Sequence, residues 1–348
     1  MSAAEPLTRL ALAVAGGAGN APDIGALMKH LVLQLAVILI AARAGGMLVH
    51  RYFRLPGVLG EILAGMLIGP YALGGLPVPG FGALFPPEAA VIPVSAQLYG
   101  FATVASILLL FLSGLETDLS AFLRFSAVGL AVGISGVVFS FSIGVLCAVC
   151  MGAAHSWLDP SALFLGAVST ATSVGITARI LSEKRRTDSP EGVTILAAAV
   201  IDDVLGVVVL AIVVGMTKIG GPHGHIDWSQ IAAVSAKAIG FWLVFTIAGI
   251  LSARRISLLL KSLRSPENIV PIALGLALFL AGLMEMAGLA MIIGAYVTGL
   301  SLSRTDLAHV IRGHLHGAYT MLVPIFFCVM GMLVDLRTLP AIWLFGLT

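Results

Sequence analysis

Two adjacent carboxylates in the middle of a long apolar stretch are the strongest chemical signal in this sequence. Asp202 and Asp203 follow ten uncharged residues, 192–201, and precede thirteen more, 204–216. An ionised aspartate at the centre of a bilayer costs roughly 2.5–3.5 kcal/mol on insertion scales. The alternative is a helix end at the membrane surface with the pair as its N-cap, and the long apolar flanks argue against it. We therefore interpret the pair as a functional site at membrane depth.

The position of the pair predicts competition between a proton and a cation. Burial and a neighbouring like charge both disfavour the ionised form of a carboxylate, and two coupled acids titrate as one unit. Such a group holds either a proton or a small cation, but not both. Adjacent helix positions point about 100° apart, so the two carboxylates meet different surroundings. This competition is the physical basis of an exchanger.

A second polar segment lies in the preceding apolar run. Residues 169–176 read STATSVGI and include Thr170, Thr172 and Ser173. Hydroxyl side chains and weak helix propensity allow a helix to break at this point. Half-helix ends at membrane depth are tolerated where they line a cavity, and there they coordinate cations. The segment therefore predicts either a broken helix at an ion site or a kinked, tightly packed span whose hydroxyls bond to their own backbone.

The composition indicates an all-α polytopic membrane protein. Of 348 residues, 59% are hydrophobic and 10% are charged, and the mean hydropathy is +1.07. A soluble chain of this length cannot hide so much apolar surface. The near balance of 19 basic and 17 acidic residues excludes the basic surface that a nucleic-acid-binding protein needs. Long unbroken apolar runs exclude a membrane β-barrel, which has short alternating segments.

Apolar runs long enough to cross a bilayer predict about ten transmembrane helices. They lie near 28–49, 56–75, 97–115, 126–151, 161–181, 192–216, 230–252, 268–286, 287–303 and 317–336. The eighth and ninth are so close that a tight turn near Gly288 must join them. Connections after odd-numbered spans hold twelve of the nineteen basic residues, so the positive-inside rule places them in the cytoplasm and the N-terminus outside.

The remaining parts of the chain give weaker predictions. Residues 1–27 form a leader or a partly inserted segment, with a signal peptide as the alternative, and residues 28–348 form one transmembrane domain. No phosphate-binding loop of the type G-x-x-x-x-G-K-[ST] occurs, so we expect no nucleotide or other cofactor. Glu61 at the start of the second span is either an accessory group in a funnel or a solvated helix-end carboxylate. Glu285 is a further candidate for ion access at the outer interface.

Several motifs resemble the cation:proton antiporter family two, which includes bacterial sodium/proton and potassium/proton exchangers. The resemblance covers roughly residues 30–340 in the family's order. The stretches that support it are LPGVLGEILAGMLIGP (55–70), LLLFLSGLETDL (108–119), TATSVGITARIL (170–181), IDDVLG (201–206), IIGAYVTGLSLS (292–303) and PIFFCVMGMLVDL (324–336).

The resemblance implies an inverted-repeat fold in which a core domain moves against a dimerisation domain. Asp203 would be the cation- and proton-binding carboxylate that holds sodium transiently, and Asp202 would pair with a basic residue of a later helix. Thr172 and its neighbours would lie in the broken crossing helix. An Asp-Asp pair is similar to the sodium/proton members, which implies exchange of protons for sodium, with lithium or potassium as other possible cations. The resemblance as a whole implies a homodimer in the bacterial inner membrane.

The sequence departs from the family pattern at its end. The family continues with a helix that has a central Lys or Arg and then with a second broken helix, whereas this sequence ends at Thr348. The second inverted repeat is therefore expected to be incomplete, with no identified partner for Asp202. The main interpretation is a sodium/proton antiporter. The alternatives are a potassium/proton exchanger and a transport-inactive membrane fragment or assembly subunit.

Overall fold

Apolar, Gly- and Ala-rich runs fold into helices throughout the chain. The computed structural model describes residues 24–78, 82–87, 92–217, 228–262 and 265–338. Within these residues there are eleven α-helices, a short 3₁₀ turn at Leu73–Gly75 and a small hairpin of β1 (Pro77–Val78) and β2 (Gly82–Ala83). The helices are α1 (Ile24–Phe53), α2 (Gly57–Ile68), α3 (Ala96–Glu116), α4 (Leu119–Cys150), α5 (Pro160–Thr170), α6 (Val174–Glu183), α7 (Pro190–Thr217), α8 (Trp228–Lys261), α9 (Pro266–Met286), α10 (Met291–Leu302) and α11 (Leu307–Met332).

Eight stretches of the described chain are long and apolar enough to cross a membrane, and α5 and α6 together form one of them. They are Met28–Phe53, Gly57–Gly75, Ala96–Glu116, Ala127–Cys150, Pro160–Glu183, Pro190–Leu210, Pro266–Met286 and Leu307–Met332. The protein is therefore a mostly helical, multi-pass membrane protein, as the composition predicts.

Two of the ten predicted spans correspond to shorter apolar helices. The seventh lies in α8, where Ile239–Gly249 is an apolar section of the described residues, and the ninth is α10, which has 12 residues. The predicted tight turn between the eighth and ninth spans is confirmed. Gly288 has a φ of 82°, a left-handed conformation that glycine adopts without strain. The leader predicted for 1–27 lies outside the described residues except at 24–27, where α1 begins.

The helices pack in two groups. One group, which we call the panel, consists of α1, α2, α3, α9, α10 and α11. The other, which we call the bundle, consists of α4, α5 and α7, and we include α6 because it is the second half of the broken span that begins with α5. Helix α8 packs on both α7 and α10, and α6 contacts α2 and α3. Helices α6 and α8 therefore connect the two groups.

Close backbone contact holds the panel together where α3 crosses α10. A Cβ atom on Gly299 would overlap the carbonyl oxygen of Phe111, and one on Gly114 would overlap the carbonyl oxygen of Tyr296. Only glycine permits this approach, which replaces side-chain packing by backbone contact. Every residue of α10 from Ile293 to Leu302 is buried in consequence.

Side-chain caps fix where the bundle helices begin. The Asp118 carboxylate accepts a hydrogen bond from the Ser120 amide at the start of α4, and Asp159 does the same for the Ser161 amide at the start of α5. These carboxylates satisfy backbone donors that have no partner inside the helix. The second cap sets the start of the span that contains the polar segment.

Candidate functional site

The polar segment in the fifth predicted span is a true break in the helix. Helix α5 ends at Thr170 and α6 begins at Val174, so Ala171, Thr172 and Ser173 have non-helical backbone at the middle of the span. The Ser173 hydroxyl caps α6 by accepting a hydrogen bond from the Ile176 amide at 3.3 Å. The break brings the C-terminal end of one half-helix and the N-terminal end of the other to the same place.

Asp202 lies against this break. The Thr172 hydroxyl donates a hydrogen bond to Oδ2 of Asp202, and Asp202 is 8% exposed. The pair lies well inside α7, which runs from Pro190 to Thr217, so the alternative of an N-cap at the membrane surface is wrong. The two polar segments that the sequence singled out are therefore in direct contact.

Asp203 differs from its neighbour in having a free carboxylate oxygen. Its Oδ2 is buried and has no hydrogen-bond partner within the described part of the chain. Among the ion pairs of the described residues, none includes Asp202 or Asp203. A buried carboxylate oxygen without a donor is costly, and a proton or a cation removes that cost.

The three hydroxyl residues proposed for the site have different positions. Thr172 is the one of the three that has a hydrogen bond to the pair among the described residues. The buried Thr170 hydroxyl donates to the Ala167 carbonyl oxygen at 2.8 Å, within its own helix, and Ser173 serves as the cap of α6. The three hydroxyls thus have three roles: Thr172 bonds to Asp202, Thr170 bonds to its own helix, and Ser173 caps α6.

The two accessory carboxylates also differ. Glu61 in α2 is 2% exposed, so its interpretation as a solvated helix-end carboxylate is wrong. Its Oε1 lies 3.7 Å from Nη2 of Arg179 in α6. Glu285 is exposed in the last turn of α9, in the panel, whereas the Asp pair lies in the bundle.

Sequence reasoning missed Arg179. The residue lies inside the predicted fifth span and precedes Glu183 by one helical turn, and its Nε donates to Oε1 of Glu183 at 2.9 Å. The guanidinium also lies over the Tyr319 ring, 5.2 Å from its centroid. An arginine inside an apolar span with a carboxylate four residues later was the signal for this cluster.

Comparisons with known proteins identify a family model and related sequences that match most of the chain. The model of the family described as "Sodium/hydrogen exchanger, transmembrane" matches residues 35–348. The high-affinity Na⁺/H⁺ antiporter NhaS3 of Synechocystis sp. is 32% identical over 90% of this chain and 71% of its own length. The Na⁺/H⁺-K⁺ antiporter GerN of Bacillus cereus is 33% identical over 86% of this chain and 70% of its own length.

A solved structure supports the fold independently. The sodium proton antiporter MjNhaP1 of Methanocaldococcus jannaschii superimposes with a TM-score of 0.62, over 94% of this chain and 74% of that chain, at 17% identity. At this identity the likeness concerns the fold alone. The match of the family model over most of the sequence, together with these relatives, leads to one conclusion: the chain belongs to the sodium/hydrogen exchanger family of transmembrane proteins.

Proposed function

We propose that this protein is a secondary active antiporter that exchanges protons for sodium across the membrane. The observation that supports it most is the contact between a broken membrane helix and an Asp pair, in which Asp202 is buried and Asp203 has a buried, unsatisfied carboxylate oxygen. The family, and the names of its relatives as Na⁺/H⁺ antiporters, agree with this proposal. The reaction is transport, so the protein is not expected to be a classical enzyme.

In this proposal Asp203 is the carboxylate that binds sodium and the proton in turn. Its buried Oδ2 accepts the ion, while Thr172 holds Asp202 by a hydrogen bond and so fixes the neighbouring charge. The carbonyl groups freed at the end of α5, together with the hydroxyls of the 170–173 segment, provide further oxygen ligands. Oxygen ligands are those that hard cations such as sodium prefer.

The two helix groups suggest how the site reaches both faces of the membrane. The Asp pair and the broken helix belong to the bundle, and the panel has its own backbone-to-backbone packing. We propose that the bundle moves against the panel and that the panel forms a homodimer. Crosslinking between single cysteines introduced on the panel surface of two subunits would test the dimer.

A bacterial inner-membrane location with the N-terminus outside remains part of the proposal. The basic connections after α1, α3, α6, α8 and α10 support this orientation through the positive-inside rule. Labelling of single cysteines in the loops that contain Arg185 and Ser156, from either side of intact cells, would test it.

Potassium is the second candidate for the exchanged cation. GerN is named a Na⁺/H⁺-K⁺ antiporter, which includes both sodium and potassium. The side chains at the site do not by themselves select an ion by size. The potassium alternative differs from the sodium proposal only in the ion that competes with the proton.

The test is the collapse of an imposed pH gradient in proteoliposomes on addition of a cation. We expect sodium to dissipate the gradient at a lower concentration than potassium. A lower half-maximal concentration for potassium would favour the potassium/proton exchanger. A gradient that does not respond to sodium, lithium or potassium would contradict antiport and favour the transport-inactive membrane subunit.

A further inference from the structure

A buried cluster of charged groups, separate from the Asp pair, joins the two groups of helices. Arg179 belongs to α6 of the bundle, and its Nη2 lies 3.7 Å from Oε1 of Glu61 in α2 of the panel. Its guanidinium also lies over the ring of Tyr319 in α11 of the panel, 5.2 Å from the centroid. Glu183 holds the same guanidinium from within α6, at 2.9 Å. The Arg179 guanidinium therefore has one carboxylate neighbour in the panel, Glu61, and one in the bundle, Glu183.

The two ion pairs of Arg179 respond differently to movement. The bond to Glu183 lies within one helix and moves with it. The contact with Glu61 crosses between the groups and, at 3.7 Å, exceeds hydrogen-bond length. A displacement of α6 relative to α2 therefore separates Arg179 from Glu61 first, and Glu183 retains the arginine charge.

The Glu61 carboxylate needs another counter-ion when Arg179 moves away. It is 2% exposed, and its Oε2 has no hydrogen-bond partner among the described residues. Arg43 of α1 is a second positive charge near Glu61, but its Nη2 donates to the Thr320 carbonyl oxygen at 3.0 Å. A buried carboxylate that loses its counter-ion is strongly destabilised. Separation of the pair is thus favourable only if another positive charge arrives at Glu61.

We propose that Glu61 is a second, transient binding site for the transported monovalent cation, and that the arriving cation displaces Arg179. This inference rests on the proposed antiport function and adds a site to it. Arg179 lies five residues beyond Val174, the first residue of α6 after the break, which is about 8 Å along the helix. A cation that leaves Asp203 toward the basic loop 184–186 passes this level of the molecule before it reaches water.

The experiment measures the KM for sodium separately at each face, with right-side-out and everted membrane vesicles. The variants are Glu61→Gln, Arg179→Gln and the double variant. Glu267→Gln removes an exposed carboxylate of α9 and serves as the matched control. We expect Glu61→Gln to raise KM at the face of the basic loops by at least about tenfold and to change KM at the other face by less than about twofold, since the buried charge serves one side.

The double variant separates an ion site from a merely structural ion pair. Arg179→Gln leaves Glu61 without its arginine partner, so we expect sodium to be retained at Glu61 and turnover to fall. The double variant also lacks the Glu61 charge, so we expect it to recover part of the turnover. An unchanged KM in Glu61→Gln, an equal change at both faces, or a double variant slower than Arg179→Gln would overturn the proposal. If Glu61→Gln does not fold, the turnover of the double variant is compared with that of Arg179→Gln, and this comparison decides. A wild type without sodium-dependent exchange would instead refute the antiport function itself.

Discussion

Hydroxyl side chains have different roles in the panel and in the bundle. In α10 of the panel, Thr298 and Ser301 donate to the carbonyl oxygens of Gly294 and Val297, each at 2.7 Å. In the bundle, the Thr172 hydroxyl reaches Asp202 on another helix. The difference is the state of the backbone. An intact helix offers its own carbonyl groups to a hydroxyl one turn later, whereas a broken helix directs the hydroxyl outward. A hydroxyl therefore becomes available to another helix where the backbone is broken, as at Thr172.

The largest effect is expected at the carboxylate with the unsatisfied oxygen. Asp203→Asn removes the group that holds the proton and the cation, so we expect exchange to fall by at least about 100-fold, as for loss of a proton-transferring group. Asp202→Asn is the comparison, because the amide oxygen can still accept the bond from Thr172, and we expect it to retain more exchange. Proteoliposome transport rates and gel filtration of the purified variants measure the two effects. Equal losses in both variants would contradict the division of roles.

Next in size is the effect of added volume at the crossing in the panel. Gly299→Ala places a Cβ against the carbonyl oxygen of Phe111, and we expect a loss of about 1–3 kcal/mol in the free energy of unfolding, which is typical of overpacking. Gly313→Ala is the control, because a Cβ there meets no atom within 4 Å. Thermal unfolding in detergent measures both. A Gly299→Ala protein as stable as the control would show that the crossing adapts.

A pair of matched substitutions tests the comparison of hydroxyls directly. Thr172→Val removes the donor to Asp202, and we expect exchange to fall about tenfold, because hydrogen bonds to charged groups are among the stronger ones. Thr172→Ser should restore most of the rate. Thr298→Val removes a hydroxyl that bonds only to its own helix, and we expect little change in exchange. Similar losses of exchange in the two valine variants would break the distinction between the regions.

The smallest effect concerns the cap of α4. The Ser120 amide bonds to Asp118 and holds the pKa of that carboxyl below its usual range. The stabilisation is therefore present at neutral pH and above the pKa of the unfolded chain, and it is lost as the pH falls through the lowered pKa. We expect Asp118→Ala to cost about 1 kcal/mol at neutral pH. Thermal unfolding at a series of pH values from pH 7 down to pH 2 measures it. A cost that persists at the lowest pH would exclude the charged cap.

The sequence predicts the parts of this structure that depend on composition along the chain. The burial of Asp202 within a helix follows from its apolar flanks, and the break at Thr172 was one of two alternatives for a polar segment in an apolar run. Which hydroxyl faces Asp202 depends on the path of the non-helical backbone at 171–173 relative to α7, and no local pattern encodes it. The partnership of Glu61 with Arg179 joins residues far apart in the sequence. The pattern of the chain likewise does not single out Gly299 among 40 glycines.

Helix lengths show a further difference between pattern and packing. A run of apolar residues predicts a full span at 287–303, but α10 has only 12 residues and is buried from Ile293 to Leu302. Hydropathy measures how apolar a segment is. It does not distinguish a helix that faces lipid from a short one enclosed by its neighbours, because both are apolar on all sides.

Proton release on cation binding tests the central claim most directly. Sodium chloride is titrated into the purified, weakly buffered protein near neutral pH, and released protons are followed with an indicator dye; choline chloride is the control for ionic strength. We predict that sodium releases protons from the wild type and that Asp203→Asn releases none. Sodium binding without proton release, or an equal release from Asp203→Asn, would contradict the claim that the two ions alternate on Asp203.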